Sequence, residues 1–318
     1  MGTTLNERAQ RLADHLASNA SNYRVNVKTI GDGLRLIDCG VEAVGGLQAG
    51  ILLARICLAG LADVQLVPGE AGGVACPIVQ VATDHPVSAC MASQYAGWEI
   101  KVGKFFAMGS GPMRAAYGKE ALFDHIEGRE QSPVAVGVLE SRKLPTDELA
   151  SFLSEKLGLP ANRITLLVAP AFSIAGGIQV VARSLETALH KLHELDFDLN
   201  QVVSGFGSAP LPPPAKDELN AIGRTNDAIL YGGRVVIWVK TDDDQIVEIG
   251  PKVPSSSSAD HGAPFADIFA RYGQDFYKID PMLFTPAEVV FCNLQSGRMH
   301  PFGRLKPEVL QRSFASLV

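Results

Sequence analysis

Strand-like and helical segments interleave along this chain without a strict strand–helix rhythm. That pattern predicts an α+β fold built on mixed α/β sheets, not a barrel or a doubly wound sheet. Three observations carry the expectation. A glycine hairpin signal lies near the start, two apolar strands flank a helix in the middle, and 318 residues are enough for two domains with a real core. The division is expected near Pro170, giving a first α/β domain over residues 1–170 and a second over 171–318, with exchange of segments allowed.

Taken in order, residues 5–19 form an amphipathic first helix. Val25–Ile30 and Leu34–Asp38 read as strands around the Gly31-Asp32-Gly33 turn. Gly40–Leu61 is a glycine-rich turn leading into an apolar helix. Val64–Val67 and Ile78–Ala82 are strand-like, and Val87–Ala96 is helical. Phe105–Arg114 is a glycine-rich turn with a helix start after Pro112. Val134–Glu140 and Ile164–Ala169 are buried strands separated by a helix over Thr146–Leu157. The proline run Leu211–Pro214 is the clearest linker. A helix over Asp217–Ile222 leads into Gly223–Gly233, and Arg234–Lys240 alternates as a strand. Ser255–Ser258 is a polar loop, Pro264–Tyr272 is helical, and a last helix lies near Pro307–Phe314.

Composition excludes several classes. A net charge of −6 without any Lys/Arg cluster argues against nucleic acid or an anionic membrane as partner. No apolar run approaches the roughly 20 residues of a membrane span. The first residues lack the apolar core of a signal peptide. Met1-Gly2 resembles a myristoylation start, but Asn6 stands where Ser or Thr is required. Five cysteines, Cys39, Cys57, Cys76, Cys90 and Cys292, are odd in number and widely spaced, with no CxxC. Buried free thiols in a reducing cytoplasm are expected.

Most standard catalytic machinery is absent. No GxSxG surrounds Ser110, Arg114 occupies the third glycine's place after Gly109, and neither a P-loop nor HExxH occurs. His85 follows Asp84 directly, which is wrong for a helical metal pair. Paired glycines at Gly45, Gly109, Gly176, Gly205 and Gly232 allow either tight packing or backbone approach to a flat heterocycle.

The best-placed acid–base pair lies in Gly176–Glu194, read as one amphipathic helix. Val181, Leu185, Ala188 and Leu192 form its apolar stripe, and Gln179, Arg183, Glu186, His190 and His193 form a second one. Arg183 and Glu186 stand three apart and are neighbours on one face. The plain reading is a solvated ion pair worth a few tenths of a kcal/mol. Two features favour chemistry: the small-residue entry Ala175-Gly176-Gly177, and an Arg-then-Glu order that is the less favourable one for helix stabilisation alone.

Five blocks then make the chain recognisable: Asp38-Cys39-Gly40-Val41-Glu42-Ala43, Thr83-Asp84-His85-Pro86, Phe106-Ala107-Met108-Gly109-Ser110-Gly111-Pro112, the stretch Gly223–Gly233 (GRTNDAILYGG), and Asp275–Asp280 (DFYKID). Together and in this order they resemble the methenyltetrahydromethanopterin cyclohydrolase family, over nearly the whole chain. Ser93–Trp98 and Asp260–Phe265 are more similar to its bacterial, methylotroph-type branch.

The resemblance implies a two-domain subunit with an interdomain cleft, a homotrimer and a cytoplasmic location. The implied reaction is reversible hydrolysis of the methenyl pterin to the formyl form in one-carbon metabolism, with water as co-substrate. No metal and no permanently bound cofactor is implied. Tetrahydromethanopterin, or its dephospho form, is the one-carbon carrier and substrate. Arg183 and Glu186 match the family's pair at the reacting carbon. Asp84, His85, Ser110, Arg224, Asn226 and Asp227 are expected to line the site or to brace its loops. The rivals are the same chemistry on another pterin or folate carrier, and a non-catalytic pterin-binding protein.

Overall fold

The structure, a computed structural model, describes residues 2–275 and 278–314. Phe276 and Tyr277 of the Asp275–Asp280 block therefore lie outside the described residues. The strands are β1 (Asn26–Ile30), β2 (Leu34–Asp38), β3 (Asp63–Ala71), β4 (Val74–Thr83), β5 (Trp98–Val102), β6 (Phe105–Ser110), β7 (Ala135–Glu140), β8 (Ile164–Ala169), β9 (Val202–Pro210), β10 (Arg234–Val239), β11 (Glu288–Asn293) and β12 (Met299–Gly303). The helices are α1 (Leu5–Ser18), α2 (Ala20–Tyr23), α3 (Leu47–Cys57), α4 (Met113–Tyr117), α5 (Asp147–Leu157), α6 (Ile174–Val181), α7 (Ser184–Glu194), α8 (Glu218–Gly232), α9 (Asp243–Ile249), α10 (Phe265–Arg271) and α11 (Pro307–Phe314). Among the described residues no helix is long and apolar enough to cross a membrane.

The chain forms two compact units: residues 1–62 with 87–179, and residues 63–86 with 180–318. Each contains one mixed six-stranded sheet, in the order β1-β2-β8-β7-β6-β5 in the first and β12-β11-β10-β9-β4-β3 in the second. The expected α+β class with mixed sheets is what the chain adopts. In the first sheet β2, β8 and β7 run parallel while β1, β6 and β5 pair antiparallel. In the second only β10 and β11 are parallel neighbours.

The first unit has three layers because its strands are apolar on both faces. Ile37, Leu167 and Ala169 pack against α1 and α3, whereas Leu36, Leu166 and Val168 pack against α5. Helix α1 starts with a capping box in which Thr4 and Glu7 satisfy each other's backbone N–H. The carboxylate of Glu130 accepts from the backbone N–H groups of Leu5 and Asn6.

Two buried charges organise this unit. Asp38 ends β2, and its carboxylate accepts four backbone N–H groups. Gly40 and Val41 donate to Oδ1 at 2.9 and 2.7 Å, and Glu42 and Ala43 donate to Oδ2 at 2.8 and 2.9 Å. Four donors offset the cost of removing a carboxylate from water. Arg114 is fully buried. It forks onto Glu120, with Nη2 to Oε2 at 2.6 Å and Nε to Oε1 at 2.8 Å. Its Nη1 donates to the carbonyls of Met91 and Ser93. Those carbonyls close a π-helix over Val87–Gln94, where the sequence predicts an ordinary helix. The rings of Tyr95 and Phe123 cover the guanidinium.

Other expectations are corrected in detail. Residues 105–110 form strand β6, not a turn, and only the helix start after Pro112 is as read. The proline run 211–214 lies inside the second unit, between β9 and α8. Helix α8 continues through residues 223–232 instead of ending near Ile222. Cys39, Cys57 and Cys90 are buried, but Cys76 and Cys292 are partly exposed, and all five are free.

In the second unit α8 packs against β9, α10 and α11, and Asp227 lies at that junction. It is 1% exposed, and its Oδ1 accepts the Phe265 N–H at 2.8 Å. Burial pushes this carboxyl up to about 7, against the opposing pull of Ser313, Phe265 and Arg312. Lys191 on α7 is also buried, donating to Ser257 Oγ at 3.3 Å and to the Met282 carbonyl at 2.5 Å. Burial brings its ammonium down to about 8.

Two stability predictions follow from these charges. Asp38→Ala leaves four backbone donors without their acceptor and is expected to cost about 3–5 kcal/mol in denaturant unfolding. A loss below about 1 kcal/mol would show that the loop is held by other means. For Asp227 the folded value lies above the ordinary 3.8, so the folded chain keeps a proton that the unfolded chain has released. Stability is therefore expected to fall as pH rises from about 4 to about 7, by up to about 4 kcal/mol. Asp227→Asn should flatten that segment of the Tm–pH profile, and identical profiles for the two proteins would refute the assignment.

Candidate active site

The stretch read as one helix is two. Helix α6 ends at Val181, Ala182 and Arg183 turn, and α7 begins at Ser184. No glycine or proline breaks the chain here, so the cause is tertiary. At Gly205 of β9 an added Cβ would sit 2.7 Å from Leu185 Cδ2. At Gly207 it would sit 2.6 Å from Ser184 Oγ and 2.9 Å from the Leu185 backbone nitrogen. The first turn of α7 thus lies directly on the bare backbone of β9. These glycines make room for protein, and so do Gly176 against Pro170 and Gly232 against Pro210.

Arg183 is the residue before the first turn of α7, with φ −84° and ψ 2°, in the sparsely populated bridge region. Its N–H donates to the Val180 carbonyl at 3.1 Å, and its own carbonyl accepts the Thr187 N–H at 2.9 Å. Glu186 stands at the third helical position, where the N-terminal end of the helix dipole favours a negative charge. Arg183 is 9% exposed and Glu186 4%, so the pair is not a solvated face. Arg183 Nη1 lies 3.6 Å from Glu186 Oε2, an ion pair looser than a direct hydrogen bond. An arginine and a carboxylate are thus held together in a largely dry place at the mouth of a helix.

The same strand carries a second feature. Ser204, next to Gly205, donates its hydroxyl to Asp84 Oδ1 at 2.7 Å. Asp84 and His85 are exposed just beyond the end of β4. The His85 N–H donates to Thr83 Oγ1 at 2.9 Å, which fixes the backbone of that turn. Strand β9 therefore anchors both the Arg183–Glu186 helix and the Asp84 carboxylate. Sequence reasoning missed Ser204, a lone serine in a glycine-rich strand that no spacing rule singles out.

Of the remaining expected residues, Ser110 lies in the first unit and Arg224, Asn226 and Asp227 lie on α8 of the second. Ser110 ends β6 in the first unit, buried, with its hydroxyl donating to the Val138 carbonyl at 3.0 Å and Cys57 Sγ 3.5 Å away. Arg224 donates to the Pro214 carbonyl at 2.7 Å, and Asn226 donates back to Ile222 of its own helix at 2.8 Å. Asp227 faces the start of α10. Among the described residues no group of three or more His, Cys, Asp or Glu is arranged to hold a metal ion.

Comparison with known proteins supplies the family. A family profile described as Cyclohydrolase (MCH) matches residues 4–314. A relative from Rhodopirellula baltica is 51% identical over 287 residues, covering 89% of this chain and 86% of its own. One from Methylobacterium sp. strain 4-46 is 46% identical over 318 residues, and one from Methanosarcina barkeri is 39% identical over 314, each covering 98% of both chains. All three carry the name methenyltetrahydromethanopterin cyclohydrolase. With the profile spanning both compact units, the chain belongs to the cyclohydrolase (MCH) family.

Proposed function

We propose that this chain reversibly hydrolyses a methenyl-tetrahydromethanopterin to the formyl form, with Glu186 as the base that activates water and Arg183 as its partner. The observation that carries the reading is the buried Arg183–Glu186 pair on the first turn of α7. The names of the relatives support the substrate class.

The chemistry suits the pair. A methenyl carbon bridging two nitrogens is a delocalised cation, already electrophilic, and needs an oriented water and a base. A carboxylate in a dry site serves twice, by taking a proton as the oxygen attacks and by offsetting the positive charge. As the carbon–oxygen bond forms, one carbon–nitrogen bond breaks. Of the two water protons, one ends on the departing nitrogen and the other is released. Arg183 keeps Glu186 ionised and aimed, at the cost of some basicity.

Asp84 and His85, exposed just beyond the end of β4, are read as facing substrate because they match a block by which the chain resembles its family. Ser110, Arg224, Asn226 and Asp227 are read as bracing, because each has a polar side-chain atom bonded to nearby backbone. A tetrahydromethanopterin-type carrier, a homotrimer and a cytoplasmic location belong to the same reading.

The test is the loss of methenyl-pterin near-ultraviolet absorbance. Wild type is expected to outpace spontaneous hydrolysis, and Glu186→Gln to lower kcat about 100-fold or more while remaining folded. Equal activity of the two would remove Glu186 from its role. Arg183→Ala should lower both activity and stability, the latter by about 3–5 kcal/mol, because it strands a buried carboxylate.

A further inference from the structure

The turn that precedes α10, residues 260–264, is strapped to three helices of the second unit. On α8 the buried Tyr231 accepts the Gly262 N–H at 3.1 Å and donates to the Ala263 carbonyl at 2.6 Å. One helical turn earlier, Asp227 accepts the Phe265 N–H at 2.8 Å. From α11, Arg312 Nη2 donates to the Gly262 carbonyl at 3.3 Å. On α10 and just after it, the Tyr272 hydroxyl donates to both carboxylate oxygens of Asp260 at 3.0 Å, and Arg271 Nη2 lies 3.9 Å from Oδ1.

His261 is the exception within the turn. Its ring lies against Tyr231 with centroids 4.9 Å apart. Yet Nδ1 and Nε2 are both buried and neither has a hydrogen-bond partner among the described residues. A neutral imidazole carries one donor and one acceptor, and leaving both unmet costs free energy that a phenyl ring in the same place would not. Packing alone therefore does not account for a histidine here. What an imidazole adds to a phenyl ring is a proton that comes and goes near neutral pH.

The surroundings set the direction. Burial holds the imidazole below its ordinary 6.5, and Lys306, just before α11, adds to that by opposing a second positive charge. Glu308 pulls the other way, more weakly, and is itself 3.7 Å from the Lys306 ammonium. Arg312 brings a further cation to the Gly262 carbonyl. Tyr231 and Asp227 are the titratable groups that α8 offers to the turn, and Asp260 is engaged by Tyr272.

We propose that this turn is an acid-sensitive latch, closed on Tyr231 while His261 is neutral and released when the ring takes up a proton. A protonated ring has two N–H donors and, beside Lys306, no acceptor in reach among the described residues, so it is satisfied only by turning out to water. The open turn therefore binds its proton at a higher pH than the closed one. Closure is complete above about 6.5 and weakens as pH falls below that value. The latch does not depend on the cyclohydrolase reading.

The test is amide hydrogen exchange of the full chain between about pH 7.5 and about pH 5, expressed at each pH as protection relative to an unstructured peptide. The Gly262 amide, whose acceptor is the Tyr231 hydroxyl, reports the latch, and the amide of Phe291, buried in β11, reports the sheet. Gly262 protection is expected to fall about tenfold or more as pH drops, while that of Phe291 holds within about threefold. His261→Phe keeps a ring against Tyr231 and removes the proton site, so its Gly262 protection should stay within about threefold across the range. In wild type the 15N shifts of the His261 ring should titrate together with the loss of Gly262 protection. Whole-molecule melting is not the readout, because Asp227 shifts stability the opposite way over much of the same range.

A His261→Phe protein that loses Gly262 protection as wild type does overturns the latch. Gly262 and Phe291 losing protection together overturns it too, since that is global unfolding. If His261→Phe does not fold, the wild-type titration decides. A ring that charges while Gly262 stays protected, or stays neutral while Gly262 opens, refutes the proposal, as does unchanged Gly262 protection down to about pH 5.

Discussion

The position of the Arg183–Glu186 pair depends on the contact between the first turn of α7 and the bare backbone of β9. With hydrogen in place of a side chain at Gly205 and Gly207, the helix comes down to van der Waals distance of the strand. The helix begins afresh at Ser184, Arg183 takes a bridge-region conformation at the corner, and Glu186 is buried with its arginine on the first turn. A side chain at either glycine would meet Ser184 or Leu185, and the helix would have to shift.

The interior tolerates several other charges by one device, local saturation. The carboxylate of Asp38 is ringed by backbone donors, Arg114 has a carboxylate, two carbonyls and two rings, and Lys191 has a carbonyl and a hydroxyl. These are positions where the backbone has no regular partner: a strand end, the close of a π-helix, and the loops around Ser257 and Met282. Buried polar groups of this sort specify one arrangement because removing either member leaves the other stranded. Such arrangements account for several of the blocks by which the chain resembles its family. Residues 38–43 form the Asp38 loop, and Asp227 within the block 223–233 joins α8 to the start of α10.

Regular elements with strong periodicity are legible in the amino-acid sequence alone. The hairpin β1–β2, the strand β8 and the helices α1 and α5 fall within a residue or so of their expected bounds. The elements that escape such reading share physical causes. Strand β9 is rich in glycine and serine, and β12 contains Pro301 and Gly303, so neither has the β-branched run that marks a strand. Helix α8 runs through Gly223, Asn226 and Asp227, weak helix formers held by packing against α10 and α11. At the site, the three-residue spacing of Arg183 and Glu186 is readable, but their burial is not. A helical wheel sorts residues by polarity and does not say which polar residues become covered: Arg183 and Glu186 are buried, while His190 and His193 of the same stripe are partly exposed. Nor does any local pattern reveal that residues 63–86 pack with residues 180–318.

That grouping has a consequence during synthesis. The hairpin β3–β4 leaves the ribosome early, yet its partner β9 follows roughly 120 residues later. At ordinary translation rates the long hairpin waits on the order of ten seconds with the β4 edge unpaired. An unpaired edge is a template for association with other chains. Pro68 and Pro77 stand opposite each other across this hairpin. The Pro77 carbonyl accepts from Leu211, so the donor that Pro77 lacks is missing from the very edge of β4 that waits for β9, and an edge with fewer donors is a poorer template for another chain.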